Sequence, residues 1–300
     1  MLNKVVIFGV GLIGGSFARA LKQAGAVGHV VGMGRSPAPL ARALELGIID
    51  SVGADLAEAL RGADLVLLAA PVAQTERILA ALRPHLQPGT VVSDAGSTKG
   101  DVVAAARRAL GGKLAQFVPG HPIAGRESNG PDAAIVDLYQ GRKTVLTPLA
   151  ENAAADVERV AAAWRACGAV IHRLTPAEHD RVFAAVSHLP HLLAYALVDD
   201  IANKAHADLL FQYAASGFRD FTRIAGSSPE MWRDISLANQ AALLGELDAY
   251  MAQLTGLRAM LAAGDGAAIE AVYANAQRAR QQWGAAIEAA EAPQPTDQAE

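Results

Sequence analysis

Residues 4–16 read KVVIFGVGLIGGS, and this stretch decides the fold. The apolar run Lys4–Phe8 has the composition of a buried strand, and a helical pattern begins at Leu12. Between them lies a glycine turn of the form G-x-G-x-x-G. A strand, such a turn and a helix in that order are typical of the phosphate-binding end of a dinucleotide-binding fold.

Each glycine of this turn has a separate physical task. Gly9 permits the tight turn, Gly11 lets the backbone approach a pyrophosphate, and Gly14 brings the helix close to the strand. The helix begins with Leu12 and Ile13, where free backbone N–H groups and the helix dipole attract phosphate oxygens. The turn therefore predicts a nicotinamide-dinucleotide site. The alternative is a glycine-rich turn that binds no ligand.

The second strand bears on the choice between NAD and NADP. An acidic residue about 20 positions beyond the glycines usually binds the ribose 2′-hydroxyl of NAD. Here Gly34 occupies that position, and Arg35 and Ser36, which can both bind a 2′-phosphate, follow it. We therefore expect NADP, or the use of both cofactors. The alternative is that Arg35 stacks on the adenine and NAD is preferred.

Short apolar runs alternate with amphipathic stretches through the first half of the chain, as in a Rossmann-type, doubly wound parallel α/β sheet. This pattern predicts a dinucleotide-binding domain over residues 1–174. Strands are expected at Lys4–Phe8, His29–Met33, Asp64–Ala70, Thr90–Ser93, Gln116–Val118, Lys143–Thr147 and Ala169–His172. Helices are expected at Leu12–Ala24, Pro37–Gly47, Ala73–Leu82, Thr98–Leu110 and Glu151–Ala166.

The pattern changes after Thr175, where the strand signal ends and the sequence becomes helical in texture. We expect an all-helical domain for substrate binding and dimerisation over residues 175–290. Residues 291–300 contain two prolines and several polar side chains, and we expect them to form a solvated tail.

Composition limits the functional classes. The chain has 300 residues, 52% of them hydrophobic, which suffices for about two domains with buried cores. Its formal net charge of −4 argues against a nucleic-acid or membrane-surface partner, and Leu65–Ala73 is too short to span a bilayer. The single cysteine, Cys167, rules out an intramolecular disulfide and suits the reducing cytoplasm, where we expect the protein.

Polar or small residues follow three predicted strands at the edge where such sheets bind ligands. Ala70 and Pro71 end one strand and are expected to pack against the nicotinamide ribose. Ser97 follows the next strand and is either the N-cap of a helix or a catalytic residue. His121 lies between a glycine and a proline, where packing does not explain it. An imidazole suits proton exchange with a substrate hydroxyl, and the alternative is a loop histidine exposed to water.

The helical half carries further polar clusters. His188 and His191 are three residues apart and can share a helix face, although no third metal ligand stands out, and we expect no metal. Asp220 and Arg223 alternate with apolar residues, which is also the pattern of a surface face of salt bridges. Trp232 lies among charged residues a few positions later.

Together these segments resemble the prephenate dehydrogenase family, which includes arogenate and cyclohexadienyl dehydrogenases, over residues 4–285. The resemblance implies oxidation of a cyclohexadienol, hydride transfer to NAD(P) and loss of carbon dioxide, a step of tyrosine biosynthesis. Five motifs carry it: Gly9–Ser16 as G-x-G-L-I-G-G-S, Asp94–Lys99 as D-x-G-S-x-K, Gly120–Glu127 as G-H-P-I-A-G-x-E, Ser187–His191 as S-H-L-P-H and Gly217–Ile224 as G-F-R-D-F-T-R-I.

The resemblance also implies roles for individual residues. His121 would hydrogen-bond the ring hydroxyl at C4 and help remove its proton, and Ser97 would orient that histidine or the same hydroxyl. Arg223 would bind a substrate carboxylate, and His191 would contact the substrate side chain. Four further positions would line or gate the pocket: His188, Glu127, Asp220 and Trp232.

The same resemblance implies a homodimer joined by interlocking helices. The Ala- and Leu-rich stretches Asp180–Ala202 and Ala238–Leu261 agree with it, although these faces could instead pack within one chain. We expect neither a chorismate mutase segment nor a regulatory ACT domain, so that tyrosine, if it inhibits, would compete at the active site. The choice between prephenate and L-arogenate stays open.

Two other functions fit part of the pattern. A β-hydroxyacid dehydrogenase also joins a dinucleotide domain to a helical one, but it relies on a lysine in the helical half, where this chain has only Lys204 in no glycine-rich context. A cofactor-sensing binding protein would not need Ser97, His121 and Arg223 together.

Overall fold

A computed structural model describes residues 1–126 and 128–291, with side chains up to residue 287. Six strands form a central sheet: β1 (Leu2–Phe8), β2 (Val27–Met33), β3 (Ser51–Val52), β4 (Leu65–Leu68), β5 (Val91–Asp94) and β6 (Phe117–Val118). The sheet is parallel throughout, and its strand order is β3-β2-β1-β4-β5-β6. This is the doubly wound arrangement that the sequence predicts.

The strands are apolar because both faces of the sheet are buried. Alternate residues of a strand point to opposite faces, so Val5 and Ile7 of β1 join one core cluster while Val6 joins the other. The helices of this half of the chain are α1 (Leu12–Gln23), α2 (Pro37–Glu45), α3 (Leu56–Leu60), α4 (Thr75–Leu82), α5 (Gly100–Leu110) and α6 (Ala154–Ala166).

A second sheet of three short strands contains one predicted site residue. Its strands, in their order across the sheet, are β7 (Gly120–Pro122), β8 (Lys143–Leu146) and β9 (Val170–Arg173). β7 runs antiparallel to β8, and β8 runs parallel to β9. His121, which was expected beyond the end of a strand, therefore lies within one, opposite Val145. A three-residue strand is too short to show the alternation that would predict it.

The other differences from the sequence pattern are also local. The helix after Ser97 begins at Gly100 and not at Thr98, because Thr98 and Lys99 still belong to the turn that leaves β5. Neither β3 nor α3 is predicted, because elements of two and five residues show no clear period.

The described chain after Thr175 is helical, as the sequence predicts. A capping box starts this half: the Thr175 side chain accepts a hydrogen bond from the Glu178 N–H, and the Glu178 carboxylate accepts one from the Thr175 N–H. A π-helical turn at residues 184–188 joins the first two helices. The helices are α7 (Pro176–Phe183), α8 (Leu189–Ala202), α9 (Ala207–Gln212), α10 (Ser216–Thr222), α11 (Pro229–Ala238), α12 (Gln240–Ala263) and α13 (Gly266–Glu291).

One stretch of this half, Pro176–Ala202, is by length and composition alone long and apolar enough to cross a membrane. It contains His179 and His188, which are both buried in contacts with other polar side chains of the chain. These contacts place two polar side chains of the stretch inside the protein, where a buried polar group is retained because it finds a partner.

Cα positions divide the chain into two compact units, residues 1–243 and a unit that begins at Leu244. The first unit contains both sheets, α1–α11 and every described site residue discussed below. The change from strands to helices at residues 174–175, where the sequence predicts a domain boundary, falls inside it. The second unit contains most of α12 and the described residues of α13.

Candidate active site

The glycine turn brings β1 and α1 into close contact. Gly9 has a φ of +94°, and a Cβ at this position would collide with the carbonyl oxygen of Ala69. A Cβ on Gly14 would collide with the carbonyl oxygen of Gly9. A Cβ on Gly11 would meet only the Gly130 nitrogen, 3.9 Å away. Two glycines therefore let the strand and helix meet, while Gly11 leaves room for a ligand.

A cavity of about 590 Å³ opens beside this turn. Six of the predicted cofactor residues line it: Gly9, Gly11, Arg35, Ser36, Ala70 and Pro71. The other three, Leu12, Ile13 and Gly14, form the first turn of α1, where backbone N–H groups have no partner within the helix. An open glycine turn, a helix N-terminus and cationic side chains suit the phosphates of a dinucleotide.

Two arginines, Arg35 and Arg77, are among the residues that line this cavity, and its described lining contains no aspartate or glutamate. Neither arginine forms an ion pair within the described chain, and the acid next to Arg77, Glu76, is paired with Arg108 at 2.7 Å. The sequence reasoning missed Arg77. The helical spacing of the cavity residues on one face of α4, and of the residue before it, could have indicated Arg77. These residues are Gln74, Arg77, Ile78 and Ala81.

A buried ion pair shapes the turn that presents Ser97. The Lys99 ammonium lies 2.5 Å from Asp94 Oδ2, and both side chains are almost fully buried. The same Asp94 oxygen accepts a hydrogen bond from the Gly96 N–H, and the other oxygen accepts one from the Gly120 N–H at 3.0 Å. Asp94 therefore joins the end of β5 to the start of β7, which fixes the backbone on either side of Ser97 and next to His121.

Ser97 does not cap the helix that follows it. The N-cap position of α5 is Lys99, with no capping bond from its own side chain. The backbone N–H groups of Lys99 and Gly100 instead donate to the two oxygens of Asp180, at 2.8 and 2.7 Å. The N-cap alternative for Ser97 is therefore wrong, and its half-buried hydroxyl is not used in that role.

Three side chains from two elements form a hydrogen-bonded chain at the centre of the site. His121 Nδ1 lies 2.8 Å from His179 Nε2, and His179 Nδ1 lies 2.8 Å from Asp180 Oδ1. The Phe183 ring packs against both imidazoles, with centroid distances of 4.9 Å to His121 and 4.5 Å to His179. The sequence pattern gave His179 and Asp180 no role in the site.

The surroundings keep both histidines neutral. Burial holds the pKa of His121 well below its usual value, and His179, Lys99 and His188 lower it further. Burial also lowers the pKa of His179, against the opposite pull of the Asp180 carboxylate. His121 is therefore in the form that can accept a proton at neutral pH.

Asp180 is held as a carboxylate. Burial by itself would raise the pKa of Asp180, but the hydrogen bonds from His179 and from the backbone of Gly100 and Lys99 outweigh it, so that the pKa is lowered. The location of Asp180 also favours its charged form, because the carboxylate lies at the N-terminus of α5, where the helix dipole favours negative charge.

The π-helical turn directs a further histidine, His188, into the site. In a regular α-helix His179 and His188 would lie on opposite sides, since nine residues at about 100° each end half a turn out of phase. The π turn at residues 184–188 winds less per residue and reduces this offset. His188 is buried, receives a hydrogen bond from Asn239 Nδ2 at 3.1 Å, and has its pKa lowered by burial to about 4.

A second group of residues lies next to His188. The His191 ring stacks on Trp232 at 3.5 Å and 19°, and its Nδ1 donates to the carbonyl oxygen of Ser187. Trp232 also meets His188 edge-on at 6.1 Å. Arg223 is close enough to His191 for its charge to lower the pKa of that imidazole, after the larger effect of burial.

Two predicted pocket residues are not brought into this arrangement by any described contact. Asp220 is exposed on α10, and no hydrogen bond or ion pair within the described chain joins it to His121, Ser97 or His191. Glu127 lies outside the described residues. The described residues also hold no cluster of three or more His, Cys, Asp or Glu side chains that could bind a metal ion.

The arrangement therefore combines a neutral imidazole with a defined partner, a serine hydroxyl in a fixed turn, and an arginine beside an imidazole–indole stack. The first two suit proton exchange with a hydroxyl group, and the third suits an anionic substrate group that a cation and aromatic rings enclose.

Two family models match the chain. "Prephenate dehydrogenase, nucleotide-binding domain" matches residues 17–173, and "Prephenate dehydrogenase, dimerization domain" matches residues 175–274. Cyclohexadienyl dehydrogenase of Zymomonas mobilis is 38% identical over 93% of this chain and 96% of its own length. Prephenate dehydrogenase of Bacillus subtilis is 35% identical over 86% of this chain and 70% of its own.

Solved structures of similar proteins point to the same family. Prephenate dehydrogenase of Aquifex aeolicus, in complex with hydroxyphenyl propionate and NAD+, has a TM-score of 0.88 and 35% identity, covering 94% of this chain and 98% of that one. Arogenate dehydrogenase of Synechocystis has a TM-score of 0.79 and 30% identity, covering 93% of this chain and 99% of that one. With both halves of the sequence matched in order, the chain belongs to the prephenate dehydrogenase family of NAD(P)-dependent dehydrogenases.

Proposed function

We propose that the protein oxidises prephenate, L-arogenate or both, with loss of carbon dioxide, as a step of tyrosine biosynthesis. The observation that carries the proposal is a neutral histidine, His121, hydrogen-bonded to His179 and close to His188, whose ring meets Trp232 edge-on. Trp232 in turn stacks on His191, the imidazole whose pKa the charge of Arg223 lowers. A cyclohexadienol carboxylate needs both a proton acceptor at its ring hydroxyl and a cation for a carboxylate.

His121 acts on the hydroxyl at C4 of the substrate ring. Its Nε2 takes the hydroxyl proton as the C–O bond becomes a carbonyl, while Ser97 orients the hydroxyl or the histidine. A bound NAD(P)+ supplies the acceptor for the hydride that leaves C4. The C1–carboxylate bond then breaks, its electron pair makes the ring aromatic, and His121 returns the proton to the oxygen of the new phenol. His121 thus serves first as base and then as acid.

Arg223 and His191 recognise the rest of the substrate. The arginine pairs with a carboxylate, and the stacked ring of His191 contacts the substrate side chain. Because prephenate and L-arogenate differ only there, as keto acid and amino acid, either fits this assignment. His188 and Trp232 are proposed to line the pocket, and the family resemblance adds Glu127 and Asp220 as residues that would line or gate it.

For the cofactor we propose NADP, or both dinucleotides. Arg35 and Arg77 line the same cavity, no ion pair within the described chain engages either of them, and no described acidic residue of the lining offers itself to a ribose 2′-hydroxyl. Ser36 occupies the N-cap position of α2 without capping it by its side chain, so its hydroxyl remains for a phosphate.

The subunits are proposed to form a cytoplasmic homodimer, inhibited by tyrosine, if at all, at the active site. Exposed apolar side chains of the second unit support an interface: Leu244, Met251, Leu254, Leu261 and Trp283. Sedimentation equilibrium should give about twice the monomer mass of 31.1 kDa, and a monomer alone would contradict the dimer.

The reaction is tested by incubating the protein with prephenate or L-arogenate and either oxidised cofactor, and following the absorbance of the reduced nicotinamide. Turnover of one or both substrates is expected, with a lower KM for NADP than for NAD or similar values. No turnover with either substrate would refute the proposal, and a strong preference for NAD would refute its cofactor part.

The catalytic assignment is tested by His121→Asn. We expect kcat to fall by about 10²- to 10⁴-fold with little change in substrate binding, because a positioned proton acceptor is lost. His172→Asn, at an exposed position of β9, is the matched control and should leave kcat unchanged. Near-normal turnover of His121→Asn would show that another group takes the proton.

A further inference from the structure

The chain of His121, His179 and Asp180 extends beyond the residue that contacts substrate. His179 is fully buried, and both of its ring nitrogens are engaged, one with His121 and one with Asp180. The proposed reaction uses only His121 Nε2, so it leaves His179 without a task. A buried imidazole between a carboxylate and a second imidazole is expensive to retain unless each hydrogen bond is made.

The direction of each hydrogen bond follows from the carboxylate. Asp180 can only accept, and it receives N–H groups from Lys99, Gly100 and His179. The Nδ1 of His179 therefore carries a proton. In a neutral imidazole the other nitrogen is then bare, so His179 Nε2 must accept from His121 Nδ1–H. His121 is left with an unprotonated Nε2, the nitrogen turned away from His179.

We infer that His179, oriented by Asp180, is a positioning residue that fixes His121 in the tautomer with a bare Nε2, ready to take the substrate hydroxyl proton. This inference rests on the proposed function of His121. Without the Nε2 of His179 as acceptor, His121 could place its proton on either nitrogen. The Nε2–H form cannot accept a proton from substrate, so part of the enzyme would be inactive at any moment.

The packing holds the rings as well as the protons. Phe183 contacts both imidazoles, and Asp180 is itself fixed by two backbone N–H groups at the start of α5. After proton transfer the cationic His121 still donates Nδ1–H to His179, and the Asp180 carboxylate lies one hydrogen bond further on. The same geometry therefore suits both forms of His121 and opposes neither proton transfer nor its reversal.

Two variants separate this role from simple packing. His179→Gln can keep both hydrogen bonds, with its carbonyl oxygen accepting from His121 and its NH₂ group donating to Asp180, whereas His179→Ala keeps neither. We expect kcat to fall by about 100-fold in His179→Ala with KM for substrate and cofactor unchanged, and by less than about fivefold in His179→Gln. His172→Gln, at an exposed site, is the matched control and should behave as the unmodified protein.

Unchanged kcat in His179→Ala, or an equal loss in the Ala and Gln variants, would overturn the inference. Thermal unfolding of each variant shows whether it is folded, and if His179→Ala is not, the Gln variant must still retain activity for the inference to stand.

A readout independent of activity is ¹⁵N NMR of the protein labelled at histidine, with the His121 signals assigned by their loss in His121→Asn. The expected spectrum has His121 protonated at Nδ1 and bare at Nε2, and the reverse pattern would overturn the inference. If the unmodified protein turns over neither substrate, the proposed function fails, while the spectrum still reports whether His179 fixes the tautomer.

Discussion

Around His121 the charged groups are buried, whereas the three arginines assigned to ligand anions lie exposed. Lys99 pairs with Asp94, and Asp180 accepts three hydrogen bonds before any ligand arrives. Arg35 and Arg223, in contrast, reach solvent. We call the surroundings of His121, with Lys99, Asp94, His179 and Asp180, the inner region. It is preorganised, which favours catalysis because no reorganisation is needed during the reaction. We call Arg35, Arg77 and Arg223 the outer region, which supplies positive charge where ligands enter.

This difference has an energetic consequence. When a buried charge loses its partner, no water can take the place of that partner, so substitutions in the inner region destabilise the whole fold. An exposed guanidinium is hydrated with or without its ligand, so substitutions of the outer arginines change ligand binding and leave the fold intact. The comparison can therefore be tested by exchanging single residues in each region.

The largest effect is expected from Lys99→Ala. It leaves the Asp94 carboxylate buried without its cation, and we expect the free energy of unfolding to fall by about 3–5 kcal/mol, measured by urea denaturation. Activity should fall as well, because Asp94 holds the turn of Ser97 and the start of β7. The control is Arg108→Ala, which breaks the exposed pair with Glu76 and should change stability far less. Equal losses in the two variants would remove the contrast between buried and exposed charges.

Arg223→Ala should have the next largest effect, mainly on substrate binding. Loss of the cation that pairs with a substrate carboxylate is expected to cost about 2 kcal/mol or more, so KM should rise by at least ~30-fold with a smaller change in kcat. Arg219→Ala, at an exposed position of α10 four residues earlier, is the matched control. A fall in kcat at unchanged KM would assign Arg223 to the reacting centre and break the division between the two regions.

Smaller effects are expected at the cofactor cavity. Arg35→Ala and Arg77→Ala should each raise KM for NADP by about tenfold, the value of one hydrogen-bonded charge at an exposed site, with little change for NAD. Arg61→Ala, outside the cavity, serves as control. If either variant weakens the binding of NAD and NADP equally, that arginine contacts a group common to both cofactors and does not recognise the 2′-phosphate.

The two regions also differ in how far the sequence predicts them. The glycine turn, Arg35 and Ser36 are adjacent in sequence, so local spacing is sufficient to place them together. The pairing of Asp180 with the start of α5 joins residues about 80 positions apart and is decided by how the helical half packs on the sheet. Motif spacing placed Ser97 and His121 at strand ends but could not reveal their partners.

The missed residues follow the same rule. Lys99 and Asp94 occur together in one motif, yet only the fold shows that their ion pair is buried. The π turn that rotates His188 toward the site has no composition of its own in the sequence. Arg77 is the exception, because its place on one helix face with other cavity residues could be found from periodicity.

The smallest predicted effect is in the pH dependence, and it tests whether the inner region stays dry. Because burial lowers the pKa of His121 below 6.5, its proton-accepting form persists as the pH falls past 6.5, so kcat/KM should decline only below that value. His179, Lys99 and His188 face the ring and act in the same direction. A midpoint at or above pH 6.5 would mean that water reaches the ring and that the inner region resembles the outer one.

The same histidines link pH to stability. In the unfolded chain they bind protons below about pH 6.5, while in the folded protein His188 does so only near pH 4, so the unfolded state gains stability first as the pH falls. His188 alone should lower the free energy of unfolding by about 1.4 kcal/mol per pH unit as the pH falls between these two values. Urea denaturation from pH 7 to 5 measures this slope, and His188→Gln should flatten it. An equal slope in that variant would show that His188 titrates normally in the folded protein and is exposed to water.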